Sequence, residues 1–479
     1  MQSMVTLPNP LAMHADSLTA IRIGGAFALY ISCAFTTWAQ TPTDPPSFAQ
    51  VGNTNPSELF IPPFRYVAPK TGGAPAASAE GGGAVRPSKE QRIVELSNAG
   101  EYGKAGSEGL ELIASEKPDD SLQLIIANSL AWSGRLREAT ATYRNIVQDP
   151  LVDDANVGIA NILRWQGYDE AAAPIYRTVL AKNSEHVDAR SGLELAEREL
   201  APRTTLMFGR SSDSSESIRN GASVNHRWRD ASGYKIYEIE TGVVRDELPN
   251  SEARQQDVGL RYSDRSLELK PTLELSATTN TNQSVFGGIK FWLDDDRLQF
   301  DIGKVNWAKS AINPNAILAG LSATHVGVFA KREYSFGLAT AKFDYFNISD
   351  SNTLVSSDVK LVSSLRPLGN AIKPYTGFET RKTSMLTSNY WSPTNGYGSL
   401  YGGLSGDWAL NDWSLFGSVQ VGLPLYGDAG TSWSLSGGAR RWLTDNFALS
   451  MLLWGMRSER SGAEYRAQSA NVVLEKVWR

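Results

Sequence analysis

The chain has 479 residues, of which 41% are hydrophobic and 20% charged, and its formal net charge at pH 7 is −5. The acidic balance argues against nucleic acid as the main partner. A single cysteine, Cys33, excludes an intramolecular disulfide, and four scattered histidines offer no zinc-binding pattern. After the N-terminus, no apolar run reaches the ~18 residues that a transmembrane helix requires, which excludes a helical membrane protein.

The N-terminus has the features of an export signal. An apolar run at residues 23–35 follows an arginine, and a small-residue pattern ends at Ala39. We therefore expect a signal peptide at residues 1–39. The alternatives are a buried helix and, because "YISC" loosely resembles a lipobox, lipid attachment at Cys33. Residues 40–87 are rich in Pro, Gly and Ala, which predicts a flexible linker.

Residues 88–201 have helical periodicity and repeat at an interval of about 34 residues. Small residues let antiparallel helices approach closely, and an aromatic ring fills the gap between repeats. The pattern resembles the tetratricopeptide repeat and predicts a solenoid that docks a protein partner, ended by a capping helix at 187–200. A generic array of helical hairpins is the alternative. The predicted packing residues are Gly100, Ala105, Gly134, Ala139, Tyr143, Gly167, Ala172 and Tyr176.

Residues 202–479 lack helical periodicity. Segments of about ten residues alternate apolar with polar side chains, most clearly at Leu267–Ser276. Short turns such as Leu293–Arg297 alternate with longer links, and the last strand places Leu474 and Trp478 on one face. Both features are typical of outer-membrane barrels, whereas a soluble all-β domain is the alternative. The fold class is therefore α + β multidomain, an α-solenoid followed by a transmembrane antiparallel β-barrel of about 16 strands.

If the alternation is correct, one face of each strand lines the barrel lumen. Carboxylates and guanidinium groups can bond to sugar hydroxyls, and aromatic faces can stack on sugar rings, so such a lumen suits a hydrated glycan. A structural role is the alternative, because a barrel interior is polar and opposite charges on neighbouring strands stabilise it. The candidate lumen residues are Glu238, Glu240, Asp257, Arg261, Glu268, Lys270, Glu274, Asp301, Asp358, Lys360, Glu379, Arg381, Tyr397, Tyr401 and Trp454.

The sequence shows no catalytic pattern. Glu238 with Glu240, and Glu268 with Glu274, could be paired acids, but no nucleophile or metal-ligand set accompanies them. We therefore predict that the protein is not an enzyme and needs neither a cofactor nor a metal ion.

A short motif suggests a family. Tyr390, Trp391, Ser392 and Pro393 precede a strand that begins near Tyr397. This element, together with the signal peptide, the short repeat array and the C-terminal barrel, resembles the YaiO family of outer-membrane proteins. The chain is also similar to the outer-membrane subunits of cellulose exporters. The resemblance implies an outer-membrane location, repeats in the periplasm and involvement with surface polysaccharide, and it implies no catalytic residue.

Two functions therefore remain open. The first is export of an exopolysaccharide, with outer-membrane lipid, a periplasmic protein and the polysaccharide as partners. The second is a plugged anchor that recruits a partner or serves as a receptor for a phage or another ligand. In the first case the motif at 390–393 is an external loop that leads Tyr397 and Tyr401 into the mouth of the pore.

Overall fold

The computed structural model describes residues 88–479 apart from 280–282, 295, 311–312, 365–371, 411–412, 428–429 and 461–462. The expected signal peptide and linker lie outside the described residues. Within them, a helical region leads into a closed β-barrel, which confirms the predicted α + β layout.

Seven helices precede the barrel in this part of the chain. They are α1 (Lys89–Asn98), α2 (Tyr102–Ser115), α3 (Asp120–Trp132), α4 (Leu136–Arg144), α5 (Leu151–Trp165), α6 (Asp169–Lys182) and α7 (Val187–Leu200). Three of the turns between them need a left-handed backbone, with φ of 76° at Gly100, 87° at Gly134 and 79° at Gly167. Glycine adopts this conformation without steric cost because it has no Cβ. Among the described residues, no helix is long and apolar enough to cross a membrane.

An aromatic ring joins each of the last two helix pairs to the helix that follows it. The ring of Tyr143 in α4 lies on Gly158 in α5, where a Cβ would approach it to 2.4 Å. The Tyr143 hydroxyl donates to Asn128 Oδ1 at 2.5 Å. Tyr176 and Gly192 repeat this arrangement between α6 and α7. The small residues of the repeat are fully buried beside these rings, namely Ala105, Ala139 and Ala172.

Sixteen strands form one closed antiparallel barrel in the described residues. They are β1 (Arg203–Asp213), β2 (Ile218–Arg229), β3 (Lys235–Leu248), β4 (Ser251–Asp264), β5 (Thr272–Thr279), β6 (Gln283–Leu293), β7 (Leu298–Asn306), β8 (Ser322–Tyr334), β9 (Gly337–Ile348), β10 (Thr353–Ser363), β11 (Ile372–Thr383), β12 (Tyr397–Leu410), β13 (Trp413–Gly427), β14 (Ser432–Thr444), β15 (Phe447–Arg460) and β16 (Ala463–Val477). Two short helices, α8 (Trp307–Ser310) and α9 (Pro314–Leu318), lie between β7 and β8.

Pairing of β1 with β16 closes the barrel, with Arg203 opposite Val477 and Asp213 opposite Ala467. Beside this seam, the Trp478 indole donates to Thr204 Oγ1 at 2.9 Å. We call the end of the barrel at which β1 begins, next to α7, the helix end, and the opposite end the far end.

A belt of apolar side chains covers the outside of the barrel. Leu275 and Leu423 are each 54% exposed, and the neighbouring outward positions are similarly apolar. A monomeric soluble protein rarely exposes so large an apolar surface, whereas a barrel that spans a bilayer requires it. The alternation along each strand therefore leaves the other face for the interior.

The predicted strand Leu267–Ser276 is wrong in its first half. The strand β5 begins only at Thr272, and residues 265–271 form a turn at the helix end. Lys270 has a left-handed backbone with φ of 41°, and Pro271 has no N–H to donate, so the apolar alternation there does not continue a strand.

Substituting Gly158 tests the packing of the helical region. Gly158→Ala places a Cβ in the Tyr143 ring, and such overpacking should cost about 1–3 kcal/mol. The measurement is the melting temperature of the helical circular-dichroism signal of the detergent-solubilised full-length chain. In the matched control Gly103→Ala, the nearest atom to the new Cβ lies 3.9 Å away. The control should leave the melting temperature unchanged or raise it, and an equal fall in both variants would contradict the packing.

Candidate functional site: the barrel lumen and its two ends

Most of the predicted lumen residues lie on the inner face of the barrel. Glu268 and Lys270 are the exceptions and correct the prediction, because both lie in the turn before β5. Glu268 is exposed there, and the Lys270 ammonium group donates to Tyr168 of the helical region at 3.1 Å and to Asp296 at 2.6 Å. The residues on the inner face are Glu238, Glu240, Asp257, Arg261, Glu274, Asp301, Asp358, Lys360, Glu379, Arg381, Tyr397, Tyr401 and Trp454.

A chain of ion pairs crosses the inner face from β3 to β6. Arg261 lies between two carboxylates, with Nη1 at 2.9 Å from Glu238 and Nε at 3.0 Å from Glu274. Lys290 binds Glu274 from the other side at 3.1 Å. Because each charge already has a partner of opposite sign, these groups stabilise the wall before any ligand binds.

The chain of charges continues across β7 to β9. Asp301 lies 3.8 Å from Lys290 and also 3.8 Å from the His325 ring. The His325 ring also lies 2.9 Å from Asp344, which binds Lys342 at 2.7 Å. Together with the carboxylates of β3 and β4, these strands line a cavity of about 260 Å³. The faces of the strands near 320–346 were ambiguous in the sequence, so it did not reveal the roles of His325, Lys342 and Asp344.

The described residues between β7 and β8, 307–310 and 313–321, fold into the lumen at the far end; we call them the plug loop. Trp307 and Ile317 are buried in an apolar core with inward residues such as Val244 on β3 and Leu354 on β10. Within this core the Trp307 ring lies 4.9 Å from the Phe346 ring of β9. In the sequence this segment is one of the longer links between strands, and its packing inside the barrel is a feature that alternation along strands does not reveal.

Polar contacts also hold the plug loop. Lys309 binds Asp257 at 2.9 Å and Glu240 at 3.3 Å. Arg219 on β2 forms a fully buried two-point pair with Asp246 on β3, at 2.6 and 2.5 Å. The same guanidinium group donates to the backbone carbonyl of Lys309 at 3.3 Å. Removal of one partner would therefore leave a buried charge without compensation.

The motif at 390–393 packs against the plug loop. The buried Tyr390 ring lies 5.5 Å from the Trp307 ring, and its hydroxyl donates to Asp350 at 3.1 Å. Ser392 Oγ accepts from the backbone N–H of Thr387 at 2.9 Å and fixes the bend of the loop. Burial, reinforced by the charge of Asp350, raises the pKa of the Tyr390 hydroxyl, which therefore remains a donor. The motif has a structural role at the far end of the barrel.

Two tyrosines of the inner face lie flat against glycines on neighbouring strands. A Cβ on Gly377 would approach the Tyr401 ring to 2.3 Å, and one on Gly403 would approach the Tyr375 ring to 2.5 Å. The Tyr401 hydroxyl also bonds to Asp358. These contacts bury Tyr401, so little of its ring is left to stack on a sugar.

Tyr397 is equally enclosed. It is 1% exposed, and its ring lies 5.1 Å from the Trp391 ring, which in turn packs under the Arg381 guanidinium group. The structure thus places both predicted tyrosines on the inner face but covers them. The sequence does not reveal that these rings are covered, because each tyrosine ring and the glycine it packs against lie on different strands.

At the helix end, buried ion pairs join the helical region to the barrel. Glu199 of α7 binds Arg203 of β1 at 2.8 Å, and Arg203 also lies 3.4 Å from Glu475 of β16. Glu475 in turn binds Arg440 of β14 at 2.7 Å. Glu170 of α6 repeats the arrangement, because its buried carboxylate receives Arg229 of β2 at 3.0 Å and Arg265 of the next turn at 3.4 Å. The helical region is therefore held against the rim at several strands.

Two carboxylates of this junction have displaced pKa values. Burial, together with the charge of Glu199, raises the pKa of Asp169 to about 7, and Arg164 and Arg229 only partly oppose this. Burial acts in the same direction on Glu199, but the surrounding guanidinium groups outweigh it and lower the pKa of Glu199 to about 2. Glu199 therefore contributes stability above its unfolded pKa of about 4.3, and this contribution is lost as the pH falls towards 2.

Arg219→Ala tests how the plug loop is held. The variant leaves Asp246 buried without a partner, at a cost of about 3–5 kcal/mol, so the loop should loosen and trypsin should cleave after Lys309. Mass spectrometry of the tryptic fragments checks this. Arg245→Ala is the control, because Arg245 pairs with Glu252 but is half exposed, and such pairs contribute about 0–1 kcal/mol. Continued protection of Lys309 in Arg219→Ala would refute this account of the loop.

Asp169→Asn tests the pH dependence of the junction. Because the folded-state pKa of Asp169 is raised, folding takes up a proton, and the wild-type helical region should melt at a higher temperature at about pH 5 than at about pH 8. Asp169→Asn should melt several degrees higher than wild type at the upper pH and lose most of this dependence. The exposed Asp188→Asn should retain it. An unchanged slope in Asp169→Asn would show that another group is responsible.

The comparisons with known proteins concern the barrel. No family model matches the chain, and no curated protein matches it. Among solved structures, a bacterial polysaccharide outer membrane secretin has 10% sequence identity and a TM-score of 0.48, over 58% of this chain and 99% of that one. OccK11 (OpdR) of Pseudomonas aeruginosa has 10% identity and a TM-score of 0.34, covering 58% and 96%. A BenF-like porin from Pseudomonas fluorescens Pf-5 has 9% identity and a TM-score of 0.34, covering 58% and 98%. Likenesses at this level carry no argument about function.

Proposed function

We propose that this protein lies in the outer membrane and passes a polysaccharide through its barrel, with the helical region in the periplasm. The apolar belt supports the membrane location, since a bilayer is the environment in which such a surface is stable. The two longest connections between strands, 307–321 and 384–396, both lie at the far end and support the orientation, because outer-membrane barrels place their longer loops outside the cell.

The observation that carries a transport function is the division of the lumen. The plug loop packs on the inner faces of β2–β4 and β7–β10. On β13 and β14, by contrast, the inward side chains of Ser418, Gln420 and Ser434 keep part of their surface accessible. A polar wall with accessible surface beside a plug gives a hydrated polymer a route that does not require the apolar core to unfold.

The helical region supports a second part of the proposal, the docking of a periplasmic protein. Val147, in the link between α4 and α5, is 74% exposed, and Val187, at the start of α7, is 73% exposed. Both lie close to the start of a helix, and exposed apolar side chains there offer a partner a contact surface. The layout also remains similar to that of YaiO-type proteins, and we propose membership of that family.

The plug loop favours a second candidate function, a sealed anchor. Its apolar core, with Trp307, Ile317 and Tyr390 all buried, resembles a permanent part of the fold more than a hinged gate. In that case the barrel would hold the helical region at the membrane, and the far-end loops would bind a ligand.

Conductance separates the two functions. We expect the purified full-length chain, inserted in planar bilayers, to show a stable ion conductance, because an export route must be filled with water. We also expect a strain without the gene to retain polymer in the periplasm. A sealed anchor gives no conductance. The absence of current from correctly assembled, protease-resistant barrels, together with unchanged surface polymer, would overturn the transport proposal.

A further inference from the structure

We infer that the inner faces of β13–β16 form a carbohydrate track that binds an uncharged, hydroxyl-rich oligosaccharide, with Trp454 as its stacking surface. The inference rests on the proposed passage of a polysaccharide. It goes further by naming the side of the lumen and the chemistry of the polymer.

The track has no charge of its own. Between the Arg440–Glu475 pair at the helix end and the level of Ser458 towards the far end, the inward positions of β13–β16 carry no Asp, Glu, Lys or Arg. Hydroxyl and amide side chains share these positions with apolar ones such as Phe416, Leu452 and Met456. The polar side chains of the track include Ser418, Gln420, Ser434, Ser436, Ser469 and Asn471.

Trp454 lies in the middle of this surface. In the strand register it stands opposite Ser436 on β14 and Ser469 on β16. Its side chain is only half buried, unlike the covered Tyr397 and Tyr401. A flat ring flanked by hydroxyl groups presents both surfaces that a sugar requires, an apolar face for the C–H groups and hydrogen-bonding partners for the hydroxyls.

Several buried hydroxyls along the track lack a protein partner. Ser458 is 2% exposed and Ser211, on the adjoining β1, is 4% exposed, and neither Oγ has a hydrogen-bond partner in the described part of the chain. The same holds for the buried Oγ of Ser469, which stands opposite Ser211 in the register. Buried hydroxyls are normally paired, so each of these groups can take a water or a ligand hydroxyl once the neighbouring side chains move to give it access.

The charged half of the lumen offers no such surface. There Arg261, Lys290 and Lys309 are already bound to carboxylates at 2.9–3.1 Å. A polymer with fixed charges would find no opposite charge on the track, and it would lose hydration on entering it. An uncharged polymer instead exchanges water hydrogen bonds for serine hydroxyls at little cost, which keeps each contact weak enough for sliding.

Cysteine accessibility tests the track independently of transport. In a full-length Cys33→Ser background, Ser434→Cys should react with a water-soluble, membrane-impermeant thiol reagent. The neutral probe maltohexaose should slow that reaction at least about threefold if it occupies the track. Adding Trp454→Ala should remove most of the protection. Ser276→Cys, an inward and half-buried serine that lines the charged cavity, is the matched control and should show no protection.

Each of the other possible results contradicts one part of the proposal. If Ser434→Cys does not react, water does not reach the inner face of β13–β16, and the track does not exist. If maltohexaose does not protect it, or protects Ser276→Cys equally, the sugar site is not on β13–β16. Retention of the protection in Trp454→Ala would remove the stacking role. If the hexameric form of a charged glycan such as polygalacturonate protects better than maltohexaose, the selectivity for uncharged polymers is wrong. Protection in a barrel without conductance would refute transport while leaving the track intact.

Discussion

The hydrogen bonds between β1 and β16 are the constraint from which the rest of the structure follows. A bilayer offers no partner for an unpaired backbone N–H or C=O group, so a sheet can span it only when the first and last strands pair. Once this seam closes, half of all strand side chains face lipid and half face one enclosed space. The apolar belt suits the side chains that face lipid. The enclosed space is more demanding to fill, because the side chains that face it are mostly polar.

The interior is filled in different ways on its two sides. From β3 to β6, charges of alternating sign neutralise one another, and the plug loop adds an apolar core above them. On β10–β12, tyrosine rings lie on glycines of neighbouring strands and cover the wall beside charged groups such as Asp358 and Lys360. On β13 and β14, serines such as Ser418, Ser434 and Ser436 keep accessible surface. A single lumen thus contains a stabilising half and a half with free capacity for hydrogen bonds.

Alternation of side chains is local, and for that reason the sequence predicted much of the barrel. The inward positions of Glu238, Arg261 and Glu379 follow from a period of two residues. The role of Lys309 does not follow, because it lies in a loop whose inward course depends on apolar partners from several distant strands. Lys270 was misplaced because a regular alternation continued across a turn. In the helical region, by contrast, the packing of Tyr143 on Gly158 repeats at a fixed interval and is visible in the sequence.

The central claim is that the plug loop fills one half of the lumen and that the serine-lined half carries the flow. Cysteines at Ala316 of α9 and Ala253 of β4, which share the apolar core of the plug, are placed to lock the loop when oxidised in a Cys33→Ser background, and loss of both free thiols shows that the disulfide has formed. The decisive measurement is the single-channel conductance of this variant before and after oxidation. If the serine-lined half of the lumen carries the flow, the current persists with the loop locked. Complete loss of current on oxidation, restored by reduction, would show instead that the loop must leave the barrel before anything can pass.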